Sequence, residues 1–273
     1  MRRVLSLIIP ASNEEAWIGP CLAAVAASDP VPGGIEVIVV ANGCRDRTAE
    51  VARGFAGQVP GLRVLEEPVG SKPRALNAGD AAAQGTLRAW LDADCVLSPG
   101  VLAALAAALD RPGPTYAGAT PVIPRAQSWV TRAYARLWQG LPFARAVAPG
   151  YGLYAVNAAG RGRWGEFPDL ISDDSFVRLQ FAPEERLQVA PTYAWPMVEG
   201  FAALVRVRRR QDMGVRQLAA RQPGLMAREA KASPGAGDLA RMAFGDPAGF
   251  AVYAAVSLAV RLRPADASFT RGR

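Results

Sequence analysis

The first 122 residues alternate short apolar runs with segments that mix apolar and polar positions. Four runs rich in β-branched residues predict strands, at residues 5–10, 35–41, 62–66 and 86–94. Segments with helix-forming composition lie between and after them, at residues 14–27, 48–56, 74–84 and 99–109. Strands that alternate with helices at this spacing predict an α/β fold, with a doubly wound, mostly parallel sheet flanked by helices.

The loops after the strands are where such a sheet binds ligands, because the carboxyl ends of parallel strands meet at one edge. This rule selects four loops that are polar or rich in Gly and Pro: residues 10–15, 41–48, 68–77 and 92–99. After Pro121 the pattern loosens into aromatic and Gly-rich segments, and an acidic patch follows from Asp169 to Asp174.

Composition narrows the chemistry of these loops. The 273 residues include no histidine, which excludes a Ser-His-Asp or Cys-His hydrolase and a zinc site with imidazole ligands. Acid–base work must therefore fall on carboxylates, Lys, Tyr or Cys. The three cysteines form no CxxC pair, which favours a reducing compartment over a disulfide framework.

Positive charge is concentrated at the C-terminal end. Residues 1–200 hold 18 basic and 19 acidic groups, a net of −1, whereas residues 201–273 hold 13 and 5, a net of +8. Aromatic residues are scattered rather than interleaved with the basic ones, so we predict no nucleic-acid partner. Segment 249–260, flanked by Arg241, Arg261 and Arg263, fits an interfacial helix on an anionic membrane surface, with a core helix as the open alternative.

Apolar runs are too short for a signal peptide or a spanning helix. The N-terminal run ends at Pro10, and the longest run, Ala248 to Val260, is shorter than the ~18 residues that a span needs. We expect a cytoplasmic protein, either soluble or peripheral on the inner face of the plasma membrane.

Asp92 and Asp94 close the fourth predicted strand in the sequence LDADC. Residues i and i+2 of a strand point to the same face, so both carboxylates can converge as the strand ends. Two hard oxygen ligands that leave room for phosphate oxygens suit Mg²⁺ or Mn²⁺. The open alternative is an Asp that caps the turn before the next helix.

Five short motifs occur in order along the chain: PASNEE (10–15), VVANGCRD (39–46), GSKPRALNAG (70–79), LDAD (91–94) and SDD (172–174). Together they resemble the inverting glycosyltransferases of family 2, over residues 4–215. The resemblance implies a GT-A fold, a nucleoside diphosphate sugar as donor, and Mg²⁺ or Mn²⁺ held through Asp92 and Asp94.

The resemblance also assigns donor-binding positions: Pro10, Asn13, Glu14, Asn42, Lys72 and Asp92. Ala41 stands where the family commonly has a carboxylate that recognises the base, which leaves the base open. Independently of the resemblance, Ser12 and Glu15 predict a capping box for the helix that follows. For Lys72 a solvated loop position is the alternative.

Asp173 and Asp174 lie where the family carries its catalytic base. The resemblance makes Asp174 the base that deprotonates the acceptor, with Asp173 shaping its field. The structural alternative is an N-cap for a helix that begins near Ser175.

Arg208 and Arg210 lie in VRRRQDMG, which resembles the QxxRW region of the family. We expect these arginines to neutralise the leaving diphosphate, or else to form a solvated basic helix face. Gln211 replaces the Trp on which a growing polymer stacks, which argues against a processive polymerase. Tyr151 and Trp164 are candidates for stacking on a sugar ring, although aromatic residues in such segments more often lie in the core.

We therefore predict the transfer of a single sugar, with inversion, to a hydroxyl of a saccharide or lipid-linked acceptor, in exopolysaccharide or glycolipid assembly. Residues 1–205 form the expected GT-A catalytic domain, with a nucleotide-sugar-binding half (1–122) and an acceptor-binding half (123–205). Residues 206–273 form a basic helical appendage. Two alternatives stay open: a non-catalytic membrane-peripheral binding protein, and a sugar-phosphate nucleotidyltransferase, whose usual Gly-rich loop is missing from PASNEE.

Overall fold

The alternation of apolar runs produces the expected sheet. A computed structural model describes residues 4–229 and 234–262. Within them eight strands form one sheet: β1 Leu5–Ala11, β2 Ile35–Asn42, β3 Leu62–Glu67, β4 Leu87–Leu91, β5 Val96–Leu97, β6 Tyr116–Val122, β7 Leu153–Asn157 and β8 Arg186–Ala194. Their order is β3-β2-β1-β4-β7-β6-β8-β5. The first four strands in that order are mutually parallel, β7 is antiparallel to β4 and β6, and β5 is antiparallel to β8.

Helices cover both faces of the sheet, as the doubly wound pattern predicts. In the described residues they are α1 Ile18–Ala26, α2 Thr48–Arg53, α3 Lys72–Ala82, α4 Val101–Ala108, α5 Trp129–Gly140, α6 Ala158–Arg161, α7 Asp173–Arg178, α8 Phe201–Arg221, α9 Pro223–Met226, α10 Ala236–Gly245 and α11 Pro247–Leu262. Every residue of β1 is buried, and its alternate side chains enter two core clusters, one containing Leu7 and the other Ile8. A central strand with both faces covered explains why its sequence is apolar throughout.

Helix α1 begins four residues later than the sequence predicts, at Ile18 instead of Glu14. The predicted capping box of Ser12 and Glu15 is wrong. The backbone N–H of Glu14 donates to Thr48 Oγ1 (2.8 Å), and that of Glu15 donates to Asp46 Oδ2 (3.1 Å). The loop after β2 therefore supplies the acceptors that a local cap would have supplied.

The C-terminal helices pack on the body of the protein. Helix α8 runs continuously through the expected boundary between residues 205 and 206. Helix α11 packs against α5 and α8 in a small core that includes Tyr134, Leu204 and Val256. Among the described residues no helix has the length and apolarity to cross a bilayer. The end of the expected appendage, residues 263–273 with Arg263, lies outside the described residues.

Candidate active site

Asp92 and Asp94 follow β4 at the carboxyl edge of the sheet. The Asp92 backbone N–H donates to the carbonyl oxygen of Gly152 (2.8 Å), which fixes the strand end against the start of β7. Gly152 has φ +70°, and a Cβ there would lie 2.7 Å from Cys95 Sγ and 3.4 Å from Asp92 Oδ2. Glycine is thus needed for this close approach to the carboxylate.

A cleft opens beside this strand end. Its walls include Asp92, Asp94, Trp195, Arg208 and Arg210. The arginines come from α8, which is more than 100 residues away along the chain. Arg209, between them, points elsewhere, since its Nη2 donates to the carbonyl oxygen of Ala259 (2.5 Å). Two of three consecutive arginines therefore share a cleft with the paired carboxylates.

Lys72 joins two acidic groups across the site. It is the first residue of α3, and Ser71 is the N-cap. Its Nζ lies 2.9 Å from Asp92 Oδ1 and 3.1 Å from Asp173 Oδ1. Burial alone would lower the pKa of Lys72, but the carboxylates of Asp173 and Asp92 outweigh it and raise the pKa overall. Lys72 is therefore a fixed positive charge between the strand end and α7.

Asp173 is the inward-facing member of the acidic pair, with 6% of its side chain exposed. Its second oxygen, Oδ2, accepts a hydrogen bond from the hydroxyl of Tyr154 (2.9 Å). Burial and the Asp173 carboxylate raise the pKa of Tyr154, so the tyrosine stays protonated and donates. Both carboxylate oxygens of Asp173 are thus taken within the protein.

Asp174 has a different environment from its neighbour. It is half-buried in the first turn of α7, and its Oδ1 accepts from the backbone N–H of Ser175 (2.6 Å). Gly150, with φ +84°, passes beside it, where an added Cβ would lie 3.6 Å from the Cβ of Asp174. Of the two acids, Asp174 is the less buried residue.

The loops after β1 and β2 interlock at the same edge. Asn13, with φ +56°, accepts from the backbone N–H of Arg45 through Oδ1 (2.7 Å). Asn42 is 4% exposed, and its Nδ2 donates to the carbonyl oxygen of Ala11 (2.9 Å). Pro10 is a buried residue of β1 in register with Val40, whereas Glu14 is half-exposed. The structure therefore places Pro10 and Asn42 inside the loop framework, and Asn13 and Glu14 at its surface.

Two features of the site have weak sequence signals. Tyr154 lies in the apolar strand β7, which pairs with β4, and its position within hydrogen-bonding distance of Asp173 is visible only in the folded structure. Trp195 stacks on Tyr151 at 5.2 Å between ring centroids, and Trp138 packs against both rings. By contrast, Trp164 is a core residue packed against Trp90 and Phe167, which agrees with the expected core position and not with sugar stacking.

The side chains that line the cleft include oxygen ligands that suit a divalent cation. Within residues 4–229 and 234–262 no group of three or more metal-ligating side chains occurs. Asp92 and Asp94 nevertheless offer hard carboxylate oxygens at one cleft. Mg²⁺ and Mn²⁺ are commonly held by one or two carboxylates, with water and substrate phosphate completing the shell. Any such ion would therefore share its coordination with a phosphorylated ligand.

Comparison with solved structures confirms the GT-A fold. The mannosyltransferase PcManGT of Pyrobaculum calidifontis, solved with GDP-Man and Mn²⁺, has a TM-score of 0.60 and 21% identity, over 97% of this chain and 77% of that one. Glucosyl-3-phosphoglycerate synthase of Mycobacterium tuberculosis, solved with Mn²⁺ and UDP, has a TM-score of 0.58 and 20% identity, over 86% of this chain and 82% of that one.

Sequence comparison matches parts of the chain to known glycosyltransferases. Glycosyltransferase AglE of Haloferax volcanii is 40% identical over 93 residues, which are 33% of this chain and 30% of AglE. The matched segment thus spans under a third of that relative. The family model "Glycosyl transferase family 2" matches residues 6–159, more than half of the 273 residues, and the chain therefore belongs to glycosyl transferase family 2.

Proposed function

We propose that this chain is a metal-dependent, inverting glycosyltransferase that moves one sugar from a nucleoside diphosphate sugar to an acceptor hydroxyl. The observation that carries the proposal is the chain of contacts from Asp92 through Lys72 to Asp173, beside the half-buried Asp174. It couples a candidate metal and diphosphate site to a candidate base. Family membership disfavours the alternatives of a sugar-phosphate nucleotidyltransferase and a non-catalytic binding protein.

The donor lies, in this proposal, along the carboxyl edge of β1, β2 and β4. Asn13 and Glu14 contact it, while Pro10 and Asn42 hold the loops that form its pocket. Arg208 and Arg210 face the diphosphate across the cleft from Asp92 and Asp94. A Mg²⁺ or Mn²⁺ ion bound through these carboxylates would neutralise charge that develops on the leaving diphosphate. The arginines stabilise the same charge by preorganised donors.

Asp174 takes the proton of the acceptor hydroxyl as its oxygen attacks the anomeric carbon. The attack comes from the face opposite the diphosphate, so the configuration inverts. A base must be able to reach the proton that it removes, and Asp174 is the less buried of the two acids. Asp173 is a positioning residue instead, because Lys72 and Tyr154 occupy its two oxygens.

The acceptor, a saccharide or a lipid-linked molecule, approaches past the aromatic rings of Trp195 and Tyr151. Trp195 lines the cleft, and its ring is stacked on that of Tyr151. Aromatic faces of this kind suit a sugar ring. With Gln211 in place of a stacking Trp, we propose single transfers in exopolysaccharide or glycolipid assembly, not processive synthesis.

An anionic membrane surface is the second partner that we propose. Helices α10 and α11 present apolar side chains to solvent, with Phe244 88% exposed, Leu262 71% and Leu258 57%. Residues 201–273 carry a net charge of +8. A helix of 16 residues with an exposed apolar side and nearby arginines suits the plane of a bilayer interface.

Vesicle co-sedimentation tests this partner. The chain should sediment with vesicles of phosphatidylcholine and phosphatidylglycerol, less with phosphatidylcholine alone, and less again at high salt. Phe244→Ser should weaken sedimentation, whereas Trp129→Ser, at a residue 63% exposed on α5, should not. Equal behaviour of the two variants, or no sedimentation with either vesicle, contradicts a membrane role for this surface.

A donor screen tests the glycosyltransferase proposal. The chain is incubated with Mn²⁺ and UDP-, GDP- or dTDP-linked sugars, and the released nucleoside diphosphate is measured with and without a chelator. Release from one class of donor that stops on chelation is the expected result. Release that a chelator does not reduce contradicts the metal site. If no donor gives release and no nucleotide binds, the proposal as a whole is contradicted.

A further inference from the structure

Arg208 is held by contacts from three helices. Along α8, its Nε lies 3.1 Å from Asp212 Oδ1. Its Nη1 also donates to the hydroxyl of Tyr134 on α5 (3.4 Å) and to the hydroxyl of Tyr253 on α11 (3.3 Å). The guanidinium carbon lies 5.8 Å from the centroid of the Tyr253 ring, within the range of a cation–π contact.

The two tyrosines also contact each other. Their rings stack at 5.4 Å between centroids, with planes 27° apart. Tyr134 itself lines the cleft that contains Asp92 and Asp94, whereas Tyr253 contacts Arg208 from α11. Tyr253 belongs to the same small core as Tyr134, Leu204 and Val256. Through Tyr253, helix α11 thus contacts Arg208 and Tyr134, two side chains that line the cleft.

We propose that Tyr253 is a positioning residue of the donor site, acting through Arg208. The inference rests on the proposed function. An arginine side chain loses considerable rotamer freedom when it is ordered. Because Asp212, Tyr134 and Tyr253 orient Arg208 before any ligand arrives, the diphosphate of the donor does not bear that entropic cost. Helix α11, which the sequence suggests only as a membrane or core helix, is then part of the donor site.

A double-mutant cycle tests the inference. Binding of UDP and of GDP, each with Mn²⁺, is measured by calorimetry for the wild type, Tyr253→Phe, Arg208→Ala and the double variant. Tyr253→Phe keeps the ring and removes the hydroxyl, and should weaken binding about two- to tenfold. In the Arg208→Ala background Tyr253→Phe should hardly change the affinity, because the guanidinium that the hydroxyl contacts is absent. Arg208→Lys gives a second background that keeps the charge.

Ser257→Ala is the matched control, since it removes another hydroxyl from α11. Its affinity should equal that of the wild type. If Tyr253→Phe binds as tightly as the wild type, or loses the same factor with and without Arg208, the positioning role is overturned. If the wild type binds neither nucleotide while the variants keep their folded circular dichroism spectra, it is the proposed function that fails.

Discussion

The Nζ atom of Lys72 lies 3.1 Å from Oδ1 of Asp173, an aspartate with only 6% of its side chain exposed. This contact joins the first turn of α3 to the first turn of α7, which are about 100 residues apart in the chain. A buried carboxylate without a charged partner is costly, so the pair fixes both helices relative to β4.

Lys72→Met should therefore destabilise the protein and weaken donor binding. Removal of the ammonium leaves Asp173 with one hydrogen bond from Tyr154, and we expect a loss of about 1–3 kcal/mol in the free energy of unfolding. Urea denaturation measures the loss. Arg74→Met removes a positive charge from the same helix at an exposed position and is the control. Equal small losses in both variants would show that Lys72 has no special role.

Tyr154→Phe tests the other partner of Asp173. The ring keeps its stacking on Trp90, at 5.1 Å between centroids, but the hydrogen bond to the carboxylate is lost. Because the acceptor is charged and buried, we expect about 1–3 kcal/mol of destabilisation. Tyr151→Phe removes a hydroxyl that donates to the uncharged backbone carbonyl of Phe143 (3.3 Å) and should cost less. A smaller loss for Tyr154→Phe than for Tyr151→Phe would count against the assigned contact.

Glu36 predicts a pH dependence of stability away from the site. Burial would raise its pKa, but the hydroxyl of Ser6 (2.6 Å) and the backbone N–H groups of Gln84 (2.6 Å) and Gly85 (2.8 Å) lower it overall. A lowered folded-state pKa adds stability above the unfolded value of about 4.3, and this stability is lost as pH falls through the folded-state pKa.

Glu36→Gln should therefore lower the free energy of unfolding by about 1–3 kcal/mol near pH 7. The difference from the wild type should shrink as the pH falls below about 4. Urea unfolding curves at several pH values measure it. A difference that stays constant across this range would mean that Glu36 does not contribute through its charge.

Gly152→Ala should damage the site through the backbone. The new Cβ would lie 2.7 Å from Cys95 Sγ at a residue with φ +70°, so the segment that supports Asp92 must shift. We expect the free energy of unfolding to fall by about 1–3 kcal/mol. Nucleotide binding with Mn²⁺ should fall by more than the increase in the unfolded fraction of the protein accounts for. Gly165→Ala is the control, because nothing lies within 4 Å of its added Cβ. Binding equal to that of the control would contradict the role of Gly152.

The sequence predicts the parallel half of the sheet well because each strand there is a local apolar run between recognisable helices. All four predicted strands occur, within a few residues of their predicted ends. The first helix is misplaced because Thr48 and Asp46 accept from the backbone N–H groups of Glu14 and Glu15 and hold these two residues in the loop before α1. Local pattern cannot reveal an acceptor that lies 31 or more residues away.

The candidate site shows the same division. Asp92 and Asp94 follow from strand periodicity, and Asp174 from its place in a family motif. Tyr154 and Tyr253 act through contacts that only the packing of β7 and α11 creates. Asp173 and Asp174 look alike in sequence, and the structure distinguishes them by burial, because Asp173 lies buried against Lys72 and Tyr154 whereas Asp174 is only half-buried.

The most direct test of the account is the rate of sugar transfer by Asp174→Asn with the donor identified in the screen, alongside its affinity for the matching nucleoside diphosphate. If Asp174 is the base, transfer should fall by about 10²–10⁴-fold, while the affinity with Mn²⁺ stays close to that of the wild type. Transfer at a rate near that of the wild type, with the nucleotide still bound, would contradict the assignment of Asp174 as the base and with it the central claim.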